Sequence, residues 1–221
     1  MAARWIKGSK LTNKQIGRII DYFALEVPAV KAARILRINR HTADRVYNFI
    51  RGVLASECEK ESPLREAHTP QGSYWISEPQ EEAADATPIT NPVFGIIMHN
   101  GRAYTRIVDD ITGETVNSII RTRVVPEHAL HSESFRLFDA LVFNGNKHLR
   151  IPRNKEYGGG EKNRSAGADN FWGFVKTKLK RYYGVSRPHF YLYLKEMEFR
   201  YNHRKEELQS IIRKIVKRYD S

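Results

Sequence analysis

Arg40, His41, Thr42 and Arg45 fall within six consecutive residues, with Arg37 and Asn39 just ahead of them. Guanidinium, imidazole, hydroxyl and carboxamide groups this close together can donate to phosphate oxygens or read base edges in a DNA groove. A second group, Lys176, Lys180 and Arg181, has the i, i+4, i+5 spacing that puts cations on one side of a helix, where they can follow a DNA backbone. Other chemistries find little material. The single cysteine, Cys58, excludes an intramolecular disulfide and zinc sites built on cysteine pairs, and it fits a reducing compartment. His148, His189 and His203 show no metal-ligand pairing and read as structural or surface residues.

The elements that must carry the first group are helical. Ile16, Ile19, Ile20 and Phe23 follow i, i+3, i+4, i+7, which predicts a helix over about 13–25. Pro28 suits the first turn of a second, short helix to Leu36, rich in Ala29, Ala32 and Ala33. Asn39 is a good N-cap for a third helix with Ala43, Val46, Phe49, Ile50, Val53 and Leu54 on one side. Short helix, tight turn and longer helix make a helix-turn-helix pattern, and the alanines allow a close crossing. The first turn of the third helix is then the reading element.

Charge supports that expectation. The chain has 221 residues, 37 Lys and Arg against 25 Asp and Glu, a net +12. The excess is uneven: +8 over 1–56, −6 over 57–92, +2 over 93–170 and +8 over 171–221. Basic blocks attract phosphate backbones through counterion release. No apolar run approaches the ~20 residues of a membrane span, and the basic start lacks the apolar stretch of a secretory signal. No membrane partner is expected, and the localisation expected is the bacterial cytoplasm and nucleoid, or the nucleus in a eukaryote.

The division expected is a helical domain over 1–56, an acidic, Pro-rich connector over 57–90 and an α/β domain over 91–221. Within the connector only Ser73–Ser77 reads as a short strand. Past Asn91 the grammar changes: an apolar strand to Met98, a turn at Asn100-Gly101 and a returning strand from Ala103. A helix over 113–123, a strand over Ala129–Ser132, a helix over 135–143 and a strand from His148 follow. Helices over 170–183, 187–201 and 205–219 end the chain. This is the order of an RNase H-like fold.

The stretch from Phe94 to Arg204 resembles the small insertion-sequence transposases of the ISXO-like group, relatives of the eukaryotic Merlin transposons. The features that carry the resemblance are Pro92–Ile97 before the Asn100-Gly101 turn, Val124-Val125-Pro126, Asn170-Phe171-Trp172 with Tyr183-Gly184 after it, and Tyr193–Asn202. Tyr22-Phe23 and Ala32-Ala33 also fit the family's DNA-binding domain. The resemblance implies a DDE nucleotidyl transferase, in which three acidic residues hold two Mg2+ ions that activate the attacking oxygen and stabilise the leaving one at a phosphodiester.

The resemblance places those three positions at Gln71, Glu133 and Asp169. The first aspartate reads Gln71, a carboxamide with no charge, and Glu78 is the nearby alternative. The second reads Glu133, one methylene longer than the family's aspartate, and the third Asp169, one methylene shorter than its glutamate. Misplacement on that scale can cost ~100-fold in rate. Glu133 and Asp169 remain as the catalytic and metal-ligating candidates.

The function expected is a transposase-like protein that binds double-stranded DNA and has lost efficient cleavage and strand transfer. Two alternatives stand beside it: an active, divergent transposase using Mg2+, and a structural component recruited into a nucleic-acid-containing assembly. Such transposases work as dimers or larger, so self-association is also expected.

Overall fold

A computed structural model of the chain describes residues 5–6, 9–60, 73–77, 93–98, 102–108, 112, 114–115, 118–119, 129–132, 148–150, 170–175, 177–178 and 187–219. Two compact units emerge, one of residues 1–60 with 195–221, the other of residues 61–194.

The first unit opens with α1 (Asn13–Ala24). A capping box starts it: Thr12 Oγ1 accepts from the Gln15 amide at 3.2 Å, and Gln15 Oε1 accepts from the Thr12 amide at 2.9 Å. Such a box satisfies two amide donors that a helix start otherwise leaves without partners. Ile16, Ile19, Ile20 and Phe23 are buried as the 3.6-residue period requires. Each such side chain contributes about 1.5–3 kcal/mol when fully buried.

α2 (Ala29–Leu36) is short, and α3 (Arg40–Lys60) runs past the boundary expected at residue 56. Val46, Tyr47, Ile50, Val53, Leu54 and Cys58 of α3 join the α1 stripe in one apolar cluster. The same cluster includes Phe199 of α4 (Arg187–Asn202), and Ile212, Ile215 and Val216 of α5 (Leu208–Tyr219). From Lys195 onward the chain therefore belongs with the N-terminal helices, and the division into 1–56, 57–90 and 91–221 needs correcting. The reason is physical. The α5 stripe is amphipathic, and the three N-terminal helices alone leave an apolar surface for it to cover.

Buried charges tie the two chain ends together. Glu196 receives Arg51 Nε at 2.7 Å and Arg200 Nε at 2.9 Å. Arg200 also donates to the carbonyls of Phe23 (2.6 Å) and Ala24 (2.9 Å) at the end of α1, the Phe23 carbonyl accepting from the Glu26 amide at 3.0 Å as well. Lys195, fully buried, sits 2.8 Å from Glu59 and 3.0 Å from Glu198.

The second unit contains a five-stranded sheet built from β1 (Ser73–Ser77), β2 (Val93–Met98), β3 (Ala103–Ile107), β4 (Ala129–Ser132) and β5 (His148–Arg150), in the spatial order β3-β2-β1-β4-β5. β1 pairs antiparallel with β2, and β2 with β3; β4 runs parallel to both β1 and β5. The segment read as connector thus supplies the central strand. β2 and β3 pair from Val93↔Ile107 to Ile97↔Ala103, the hairpin expected around Asn100-Gly101, whose turn residues lie outside the described ones. Parallel neighbours require a crossover of a dozen or more residues, which 133–147 are long enough to supply between β4 and β5. Residues 170–175 are helical, with Phe171 and Trp172 buried edge to face at 4.9 Å between centroids, so both are core residues.

Candidate nucleic-acid interface

The link between α2 and α3 is three residues long, and local chemistry sets its shape. Arg37 adopts the left-handed conformation, φ 53° and ψ 44°. The Ile38 amide reaches back to the Ala33 carbonyl at 3.0 Å, and the Arg37 amide to Arg34 at 3.3 Å. This pair of bonds is a Schellman stop, which glycine normally completes because an L side chain is strained there. Asn39 then caps α3, its Oδ1 accepting from the His41 amide at 2.8 Å. Ala32, Ala33 and Ala43 are buried, as the close crossing requires. Tyr47 Oη donates to the Val27 carbonyl at 2.8 Å, pinning α3 to the chain ahead of α2.

On this frame Arg37, Arg40, His41 and Arg45 are exposed, and Thr42 is half-buried. His41 and Arg45, one turn apart, share an outward face of α3. Arg40 lies 3.5 Å from Asp44 in an exposed pair that leaves it available to a stronger anion. Asn39 is exposed, but its carboxamide oxygen is committed to the cap. Lys31 and Arg34 of α2 extend the same charge, and between Pro28 and Asn48 the only acid is Asp44. The tertiary fold sharpens the bulk number. The first unit holds twenty Lys and Arg against ten Asp and Glu, so +10 of the chain's +12 resides there.

Gln71, Glu133, Asp169, Lys176, Lys180 and Arg181 lie outside the described residues. The strands that lead to them are described. β1 and β4 are parallel, with Ser73↔Ala129 at one end and Ile76↔Ser132 at the other. In the sequence Glu78 directly follows the C-terminal end of β1, and Glu133 that of its parallel neighbour β4. Gln71 precedes the N-terminal end of β1 in the sequence. Among the described residues no group of three His, Cys, Asp or Glu side chains could hold a metal ion. No described helix is long and apolar enough to cross a membrane.

Sequence reasoning missed the role of Lys195, Glu196, Glu198 and Arg200. All four are buried, and they couple the C-terminal helices to α1 and α3. Burial opposes the charge of Lys195, yet Glu198, Cys58 and Glu59 around it outweigh that and hold its pKa well above the ordinary lysine value. The available signal was the scatter of charges on every side of α4, which forces some of them inward, where a charge persists only if paired.

A sheet with three antiparallel-paired strands, continued by parallel ones and followed by helices, stands beside a basic helical unit in the chain. The sequence pattern of the ISXO2-like transposase domain matches residues 76–202, more than half of the chain, and the chain belongs to that family. An "Uncharacterized transposase-like protein" of Haemophilus influenzae is 33% identical over 117 residues, covering 52% of this chain and 94% of that relative. The matched span contains Glu78, Glu133, Asp169 and the buried charges of α4. It begins after Gln71 and after the helices of residues 1–60.

Proposed function

We propose that this chain is a transposase-like protein that binds double-stranded DNA through a helix-turn-helix formed by α2 and α3, with efficient DNA cleavage lost. The observation that carries the reading is the line of exposed cations Lys31, Arg34, Arg37, Arg40 and Arg45 along α2, the link and the first turns of α3. α3 enters the major groove, where Arg40, His41 and Arg45 reach bases and phosphates. The strand order β3-β2-β1-β4-β5 with an antiparallel β2 supports an RNase H-like fold for the second unit. Replacing Arg40 and Arg45 together by Ala weakens DNA binding by about 1–3 kcal/mol for each arginine that bonds a base in bidentate fashion. Unchanged affinity and salt dependence in that double variant would overturn the assignment.

The loss of cleavage rests on Gln71, which brings no charge to the first acidic position, and on the altered reach of Glu133 and Asp169. Both are hard oxygen donors that suit Mg2+, which when bound would supply Lewis-acid activation at a phosphodiester. A second reading, a working transposase, is favoured by one observation: β1 and β4 are parallel neighbours, and Glu78 and Glu133 are the residues that follow their C-terminal ends in the sequence. A third carboxylate would raise the negative charge available to two cations. A cleavage assay on a linear DNA end with Mg2+ or Mn2+ decides between them. Cleavage that disappears in Glu133→Gln and in Glu78→Gln upholds the enzyme, and its absence from the unaltered chain upholds the binding protein.

A further inference from the structure

The α2–α3 surface does not use up the charge of the first unit. α1 and α5 lie side by side: Arg213 pairs with Asp21, and Lys217 Nζ stands 4.5 Å from the ring centroid of Trp5. That indole packs on α1 at Gly17, with Trp5 Cζ3 3.5 Å from where a Cβ would stand. The contact fixes which sides of the two helices face outward. Lys14 and Arg18, one turn apart on α1, are exposed beside this seam, and so are Lys214 and Lys217 on α5. Lys14, Arg18 and Lys214 form no ion pair with any described residue. The acids nearby are already engaged: Asp21 with Arg213, and Glu207 with Ser210 Oγ at 2.7 Å.

We infer that this outer face of α1 and α5 is a second contact surface for duplex DNA, separate from α3. The inference rests on the DNA-binding reading above and extends it. α1 and α3 bury their apolar stripes in one shared cluster, and Lys14, Arg18 and Lys214 lie beside the α1–α5 seam rather than on the α2–α3 link. On this inference the second face takes a DNA segment other than the one read by α3. Lysine ammonium groups offer point charges without planar, bidentate geometry, which fits phosphate contact without base reading. A lipid surface fits less well, because membrane-surface helices carry large apolar side chains beside their cations. The exposed large hydrophobics among the described residues are Leu25, Val30, Ile35 and Tyr219, none of them on this seam, and Tyr219 packs edge-on against Phe49.

The test uses the full chain and a ~20-bp duplex of arbitrary sequence, titrated across salt concentrations, with Lys14→Gln, Arg18→Gln and Lys214→Gln combined. Lys217 stays, because it holds Trp5. The unaltered chain takes two duplexes per chain. The triple variant takes one, and its slope of log K against log salt falls in magnitude by about 2.7, at 0.9 for each phosphate no longer neutralised. Replacing Lys14 and Lys214 by Arg preserves both readouts. If the triple variant melts early, Arg18→Gln with Lys214→Gln reads the same effect with a slope change of about 1.8. An unchanged slope and stoichiometry in the triple variant, while Arg40→Ala with Arg45→Ala weakens binding, overturns this face and leaves the helix-turn-helix reading standing. No effect of either variant overturns both. Binding to phosphatidylserine vesicles that the triple variant loses, with its DNA binding intact, overturns the DNA assignment in favour of lipid.

Discussion

Replacing Glu196 by Ala removes a carboxylate shared by Arg51 and Arg200. Its two oxygens receive Nε groups at 2.7 and 2.9 Å, and the three side chains are only 8%, 4% and 3% exposed. Deleting one partner of such a buried arrangement strands the remaining charge and costs about 3–5 kcal/mol. Here the lower end applies, because both arginines keep other partners. Arg51 retains Asn48 Oδ1 at 3.0 Å and lies over the Phe23 ring at 5.6 Å. Arg200 retains the two carbonyls at the end of α1. The expected loss is therefore about 3 kcal/mol, a large share of the 5–15 kcal/mol of a typical domain. Urea unfolding followed by the far-ultraviolet helix signal measures it. With a slope of about 1.5 kcal/mol/M the midpoint falls by roughly 2 M. Arg40→Ala is the control, since its pair with Asp44 is 69% and 41% exposed and its loss stays within about 0.5 kcal/mol. If Glu196→Ala shifts the midpoint no more than Arg40→Ala does, the buried ion network does not hold the chain ends together and the reasoning fails.

Three further outcomes are expected. Arg37→Gly relieves the left-handed strain at φ 53° and raises the melting temperature, by an amount equivalent to no more than about 1 kcal/mol, while DNA binding becomes less salt-dependent; a lower melting temperature refutes the strain. Stability falls as pH rises above about 10, because Lys195 and Tyr201 both have folded pKa values raised above their ordinary ones, so their stabilisation is complete below those values and is lost as pH climbs through the folded ones. Lys195→Met flattens this alkaline decline, and an equally steep fall in that variant counts against the lysine's part in it. Residues 1–56 expressed alone show no cooperative thermal transition, whereas residues 1–60 joined by a flexible linker to 195–221 do; a cooperative melt of the short fragment refutes the shared core.

The sequence by itself determined what short-range physics governs. The Ile16–Phe23 stripe, the Asn39 cap and the five strands stand where periodicity, capping chemistry and turn residues place them, since each depends on neighbours a few positions away. The cluster of Arg37, Arg40, His41 and Arg45 was legible for the same reason: a helix start sets the direction of its own first-turn side chains. Only tertiary structure decided the rest. That α5 completes the N-terminal core, that Glu196 lies between Arg51 and Arg200, and that Ser73–Ser77 is a central strand all depend on partners far away in the chain. No local spacing encodes such pairings. The register of β1 against β4, with Ser73 opposite Ala129 and Ile76 opposite Ser132, is likewise a product of parallel pairing. Parallel strands meet only through long crossovers, and only the fold as a whole fixes which residues then stand side by side.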